Sequence, residues 1–187
     1  LQHWDTVGWG AYRKHMLQWM AWTILYPETK INHMLLLGGA EGVGKDFLLY
    51  PLAKAMEGHY ANVPGDALTG RFGEFLLSTK YVHINEVTLA DHREAALVAE
   101  RIKPLTAAPP ETLYVDRKGV KPLYITNIVN CTMGTNSTLP FRTQGLSRRI
   151  YGVWSDLQVR DLNGETLPEW RTYWVDRWDW MQLCRPQ

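Results

Sequence analysis

Residues Gly39 to Asp46 read GAEGVGKD. Glycines at positions 39, 42 and 44 let a backbone curl until successive N–H groups face one centre, a curvature that a Cβ obstructs. A lysine directly after the last glycine supplies a mobile point charge, and a helix beginning there adds the positive end of its dipole. The spacing matches GxxxxGK of a phosphate-binding loop, with Asp46 standing where that pattern carries Ser or Thr. It predicts a nucleotide cradle built from Gly39, Glu41, Gly42, Val43, Gly44, Lys45, Asp46 and Phe47, with ATP and Mg²⁺ as its ligands. The hydroxyl that Asp46 replaces normally helps hold the metal. A carboxylate is also a hard oxygen ligand, but it brings negative charge up to the phosphates. Asp46 is therefore expected either to touch the metal, directly or through water, or to lower nucleotide affinity.

A second acid follows 41 positions after Lys45, where the apolar run YVHIN ends at Glu86. In phosphate-loop NTPases a carboxylate at the end of such a strand binds metal or orients the attacking water. Asn85 cannot act as a base, so Glu86 is assigned the water and the metal, and Asn85 an orienting hydrogen bond. Charge supplies a third feature. Residues 101–150 hold eight basic residues against two acidic ones, +6 within a chain of net charge +1. Arg117 and Lys118 fall at the tip of an expected hairpin, and Lys121 or Lys103 could serve in their place. Such a concentration suits a phosphate backbone, and single-stranded nucleic acid is the expected partner.

These groups need elements to hold them. Met34 to Leu37 is a short apolar run closed by Gly38 and Gly39, as in a buried parallel strand. A helix is expected from Lys45 to just before Gly58, and a short strand at Tyr60 to Val63. Leu76 to Val87 reads as one buried strand with its polar end at the site. Thr88 and Asp91 resemble a helix N-cap, and Pro104 is expected to close the helix that follows. Glu111 to Val115 and Val120 to Ile125 flank the turn of a β-hairpin, and Asn130 to Thr135 forms a further strand. Trp9, Tyr12, Met16, Trp19, Met20 and Thr23 recur at near-helical spacing, so Trp4 to Leu25 reads as a packing helix. Trp170, Trp174, Trp178 and Met181 form a second stripe near the end. The organisation expected is one domain: an N-terminal helical packing segment over 1–30, a core over 31–155 and a Trp-rich segment over 156–187.

Composition narrows the class. The chain has 187 residues, 45% hydrophobic and 21% charged, enough for one globular core and unlike disorder or a fibre. Two distant cysteines, Cys131 and Cys184, make neither a disulfide framework nor a zinc site, which points to a reducing compartment. The six histidines show no i, i+4 pair and no carboxylate frame, so His83 reads as an ordinary strand residue and Cys131 as a small hydrophobe. No apolar run approaches the roughly 20 residues that cross a bilayer, so no membrane partner is expected. The start at Leu1 suggests a piece of a longer protein.

The order of these motifs resembles a known family. The buried strand with GAEGVGKD, then YVHINEV, then IKPLTAAPPE with a basic hairpin, then a strand ending MGTN, then LSRRI, is similar to superfamily 3 helicases, over roughly Trp19 to Val153. The nearest likeness is to helicase domains joined to primase or primase-polymerase modules in phages and mobile elements, where GKD variants of the loop also occur. The resemblance implies a three-layer α/β P-loop NTPase fold of the AAA+ type, with a largely parallel central sheet and flanking helices. It implies an ATP-dependent DNA helicase motor working as a homo-oligomer, a hexameric ring, on single-stranded DNA in the (host) cytoplasm, covalently linked to a primase or primase-polymerase module. It places Asn136 where the family keeps a polar sensor of the γ-phosphate. It sets Arg148 and Arg149 where one arginine reaches into a neighbouring subunit's nucleotide, a task that suits a planar, delocalised charge. Two other readings compete. One is a non-catalytic nucleic-acid-binding oligomerisation module whose loop has degenerated at Asp46. The other, weaker, is a small phosphoryl-transfer kinase.

Overall fold

The computed structural model describes residues 9–68, 73–85, 92–107, 109, 112–137, 147–157 and 165. A single 3-10 turn, Gly10–Tyr12, leads into helix α1 (Arg13–Leu25), which buries Met16, Trp19, Met20 and Thr23, one stripe at helical spacing. The expected start at Trp4 lies outside the described residues. Strand β1 (Met34–Gly39) follows, then helix α2 (Lys45–Ala55), strand β2 (Tyr60–Pro64), strand β3 (Tyr81–Asn85) and helix α3 (His92–Leu105). Next come hairpin strands β4 (Thr112–Arg117) and β5 (Val120–Thr126), then β6 (Asn130–Thr135) and β7 (Ile150–Ser155).

Five strands form one sheet in the order β2-β3-β6-β1-β7, and every pairing in it is parallel. A parallel sheet needs cover on both faces, and the period-2 alternation of side chains supplies it. Leu35, Leu37, Tyr81 and Val153 point to one face, where they pack with α1 and α2 through Met16, Trp19, Leu48 and Leu52. Met34, Val82, Ile84, Cys131 and Met133 point to the other, against Val98 and Ile102 of α3 and Leu113 of the hairpin. The architecture is mixed α/β: a parallel central sheet with flanking helices. Among the described residues no helix is long and apolar enough to cross a membrane.

Four expectations need correction. The strand expected to start at Leu76 starts at Tyr81 and is described to Asn85, its expected last residues Glu86 and Val87 lying outside the described residues. Leu76 and Leu77 sit instead at a 3-10 turn, donating their N–H groups to Gly73 and Glu74, and the Thr79 hydroxyl bonds the carbonyl of Phe75. Local side-chain bonding of this kind competes with a strand. The hairpin strands are longer than expected, leaving a two-residue turn, Lys118-Gly119, with Gly119 at φ +69°. Helix α3 runs one residue past Pro104, so the proline sits inside its last turn. Strand β7 was missed by the pattern, although Ile150, Tyr151, Val153 and Trp154 are the apolar and aromatic residues a strand favours. The proposed cap at Thr88 and Asp91 and the Trp170–Met181 stripe lie outside the described residues.

Strand β7 also explains a glycine. Gly38 pairs with Trp154 across the sheet, and a Cβ added at Gly38 would lie 1.9 Å from the indole Cε3. Replacing Gly38 by alanine must therefore move the indole or separate the strands. Overpacking of this severity costs about 3 kcal/mol, which in a chain of this length lowers Tm by roughly 6–12 °C. Thermal unfolding of Gly38→Ala against Gly152→Ala, where a Cβ meets nothing within 4 Å, checks it; equal melting of the two would be inconsistent with this packing.

Candidate functional site

The carboxyl ends of β1, β3 and β6 converge on one cleft of about 560 Å³, lined by Glu41, Gly42, Gly44, Lys45, Asp46, Phe47, Asn85, Gly134, Thr135 and Asn136. Clefts at this edge of an open parallel sheet are where ligands bind in α/β folds. The glycine-rich segment leaves β1 through Gly39 at φ +149°, turns at Gly42 (φ +85°) and enters α2 from Gly44 at φ +87°. Val43, fully buried, pins the loop to the core below. Glycine is what those left-handed positions require.

Lys45, in the first turn of α2, folds back over the loop. Its Nζ donates to the carbonyl oxygens of Gly39 (2.9 Å) and Ala40 (3.0 Å) and to Oδ1 of Asn136 (2.6 Å). These are three acceptors for three ammonium protons. Asn136 is held out for this contact by a local turn: buried Thr135 accepts the N–H of Ser137 at Oγ1 (3.0 Å), which leaves Asn136 exposed just beyond the strand end. Lys45 and Asn136, 91 positions apart, are thus brought together.

Asp46 follows Lys45 with its side chain 79% exposed, and its Oδ1 lies 3.3 Å from Nε2 of His83, which is 3% exposed. That contact, with Lys45 alongside, holds the Asp46 carboxyl below the usual carboxylate range against the opposing effect of partial burial. At 3.3 Å this is a charge contact slightly longer than a hydrogen bond, and buried Nε2 has no hydrogen-bond partner among the described residues, so Asp46 is the acceptor within its reach. His83 Nδ1 meets Oγ1 of Thr132 at 2.7 Å, and the same Oγ1 meets the Tyr81 hydroxyl at 2.7 Å. Asn85, at the end of β3, donates from Nδ2 to Asn62 Oδ1 on β2 (2.7 Å). Glu86 lies outside the described residues.

The two arginines are separated in role by their surroundings. Both fall in a short turn, Ser147–Arg149, before β7. Arg149 donates from Nη1 to the carbonyl of Lys103 in the last turn of α3 (2.7 Å), whereas Arg148 is exposed. At the hairpin, Arg117 spans its own turn to the carbonyl of Lys121 through Nε (3.2 Å) and Nη2 (2.6 Å). Lys118 and Lys121 are exposed, and the tip is anchored where the Lys118 backbone N–H donates to Glu74 Oε1 (3.1 Å).

This arrangement has relatives. Residues 36–149, which hold the loop, the ends of β1, β3 and β6, and both arginines, match a family described as a family of unknown function, DUF5906. The chain belongs to that family. It is 32% identical over 135 residues, 72% of its length, to a protein named DNA primase-polymerase from Nitratiruptor phage NrS-1. Those residues make up 18% of that protein. An apo structure of the C-terminal region of NrS-1 aligns with 93% of this chain and 42% of its own, at TM-score 0.71 and 23% identity. A second apo form of that region gives TM-score 0.65 at 25% identity over 93% of this chain and 41% of its own. The fold of this DUF5906 member is therefore shared with part, about two fifths, of that C-terminal region.

Several residues near the cleft or elsewhere in the fold make contacts that no sequence motif signals. His83 reads as a strand residue in sequence, yet the strand alternation turns it with Tyr81 toward α2 and Asp46. His15 and His33 look unrelated in sequence, but their Nε2 atoms are 2.9 Å apart beside Tyr151. Tyr114 and Tyr124 meet as an exposed edge-to-face pair across the hairpin, ring centroids 5.4 Å apart. Arg149 works with Asn127, which donates to the carbonyl of Pro104 (2.6 Å), and with Lys30, whose Nζ bonds the carbonyls of Leu105 and Val129. Together they satisfy carbonyls that a helix C-terminus leaves unpaired. A hydrogen bond from a charged donor contributes about 1.5–3 kcal/mol, so Arg149→Ala should lower Tm by several degrees and Arg148→Ala should not. Equal, unchanged melting of both variants would show that the Arg149 bond is not formed.

Proposed function

We propose that this domain is an ATP-dependent, superfamily 3-like DNA helicase motor, a three-layer P-loop NTPase of the AAA+ type, working in a phage or mobile-element replication protein. One observation carries the reading: Lys45, at the start of the helix after a loop of left-handed glycines, bonds Asn136 from the neighbouring parallel strand. A phosphate entering the cleft would exchange with the carbonyl oxygens that Lys45 now holds and keep Lys45 and Asn136 on opposite sides of one anion. The donor set fits a nucleotide with Mg²⁺: loop backbone, one ammonium, one amide and the exposed oxygens of Asp46. Such an ion would supply positive charge that offsets the phosphates. Asp46 would hold it, with Glu86 orienting the water. Kinship with a protein named DNA primase-polymerase supports a place in DNA replication.

Arg148 is the arginine available to a neighbouring subunit, since Arg149 is engaged by α3. The proposed assembly is a hexameric ring in the cytoplasm, with a primase or primase-polymerase module on the same chain. Single-stranded DNA would run against the hairpin, where Lys118 and Lys121 are exposed. A second reading, a non-catalytic nucleic-acid-binding module, draws on Asp46 and on the closed arrangement of Lys45, whose three protons already have acceptors.

Hydrolysis of ATP with and without single-stranded DNA separates the two. The motor predicts DNA-stimulated turnover, abolished in Lys45→Ala and lowered about 10³-fold or more in Arg148→Ala. The rate per subunit should fall as the protein is diluted to monomer. Nucleotide binding and hydrolysis absent from the wild type would favour the module. For the hairpin, Lys118→Ala should reduce the salt dependence of single-strand binding by somewhat less than one unit in the log–log slope while basal hydrolysis stays intact; an unchanged slope would remove Lys118 from the interface.

A further inference from the structure

The loop departs from its usual pattern at Asp46, and the buried residue that meets Asp46 is a histidine that the motif does not call for. His83 is on β3 with its ring inside the sheet–helix layer, 3% exposed, among Tyr81, Thr132 and α2. Its protonation follows from the network. Thr132 Oγ1 has one proton and two neighbours at 2.7 Å, the Tyr81 hydroxyl and His83 Nδ1. Tyr81 has no other partner among the described residues. The order that gives every proton of the chain an acceptor has the Tyr81 hydroxyl donating to Thr132, Thr132 donating in turn to Nδ1, and the ring proton on Nε2. The reverse order leaves a buried phenol proton without an acceptor, and donation to Thr132 by both Tyr81 and Nδ1 orphans the Thr132 proton; either leaves a bare ring nitrogen facing a carboxylate. Nε2–H therefore faces Asp46 Oδ1, 3.3 Å away.

We propose that His83 is a positioning residue for Asp46: its Nε2–H holds one carboxylate oxygen from below and leaves the other for the cleft, where a nucleotide-bound divalent cation would meet it. This rests on the nucleotide-site reading above and extends it to a residue outside the loop. Carboxylates that bind metals are themselves hydrogen-bonded, and loss of such a partner typically lowers metal affinity 10–100-fold. A donor on Oδ1 also draws negative charge away from the phosphate side, which addresses the penalty of placing a carboxylate where the pattern has a hydroxyl. Asp46 suits the role because it lies between two clefts. It lines the one with Lys45 and Asn136, and it lines a second, of about 610 Å³, together with Tyr60, Asn62 and His83. An unanchored carboxylate there could turn to either.

The test is a double-mutant cycle on the full chain, reading the affinity of a fluorescent ATP analogue in Mg²⁺ and in EDTA, beside thermal unfolding without ligand. His83→Ala should weaken Mg²⁺-supported binding about tenfold and leave binding in EDTA unchanged. His83→Gln, whose amide places a donor near Nε2, should recover most of the loss. In the Asp46→Ala background His83→Ala should add less than about twofold. Should His83→Ala not fold, His83→Leu replaces it in the cycle. Equal losses in both backgrounds, or Mg²⁺-supported binding by the folded variant equal to wild type, would overturn the proposal. If the wild type binds no nucleotide in either buffer, the nucleotide-site reading fails instead. The apo melting cycle then decides the contact alone: additive changes in Tm would overturn it and coupled changes would keep it.

Discussion

The parallel pairing of β1 with β6 is the constraint on which the rest of the structure depends. Its register sets Leu37 against Gly134 and Gly38 against Thr135, so both strands end at the same height. The loop after β1 and the turn after β6 must then emerge side by side. A shift of two residues would preserve which side chains face which layer, but it would carry Asn136 about 7 Å along the sheet, beyond the reach of its bond to Lys45. Placement of the site is thus a register property before it is a side-chain property.

Register in turn needs the second layer. Asn130 opens β6, accepting the Ile31 N–H at Oδ1 (2.9 Å) and donating from Nδ2 to the Thr29 carbonyl (3.2 Å), so the approach to β1 is tied to the start of β6. Lys30 between them bonds the end of α3 and the residue before β6. Burial lowers its pKa from the ordinary lysine range, the expected response of an ammonium withdrawn from water. A buried cation is tolerated when carbonyl dipoles surround it, and one of the two carbonyls it takes, that of Leu105, is left open by the helix end. The same helix end receives Asn127 and Arg149. Three side chains from distant parts of the sequence thus converge on one helix terminus, below the edge that carries the site.

How much of this was legible depended on whether the signal was local. The loop and the starts of β1 and α2 were legible because glycine spacing and a lysine are a local code, and the hairpin and β6 because their apolar patterning is local too. The Asn136 position came from the resemblance, and only the fold supplies its contact with Lys45. Strand β7 is not legible locally because it follows two arginines and is only six residues long; its partner is the distant edge of β1, where Gly38 leaves room for the Trp154 indole. The over-long β3 came from counting Leu76 and Leu77 as strand, where Ser78, Thr79 and a 3-10 turn had already taken the backbone. The split between Arg148 and Arg149 was illegible for a similar reason: adjacent identical residues differ only in what the tertiary fold offers each.

His83 was the least legible and is the most instructive. Sequence pattern treats a histidine inside YVHIN as a hydrophobe's substitute, but burial changes the question. A buried imidazole must place two nitrogens, and here one is taken by Thr132, whose hydroxyl also meets Tyr81 on the same face of the sheet. That leaves a single direction for the other, out of the sheet toward the first turn of α2, where the carboxylate it meets among the described residues is Asp46, at which the loop departs from its pattern. Two irregularities that look independent along the chain, Asp46 for a hydroxyl and His83 for an aliphatic, are therefore one interaction in space. Each makes physical sense beside the other: the carboxylate gives the buried imidazole an acceptor, and the imidazole gives an exposed carboxylate a fixed place at the head of a helix, where the dipole favours its charge.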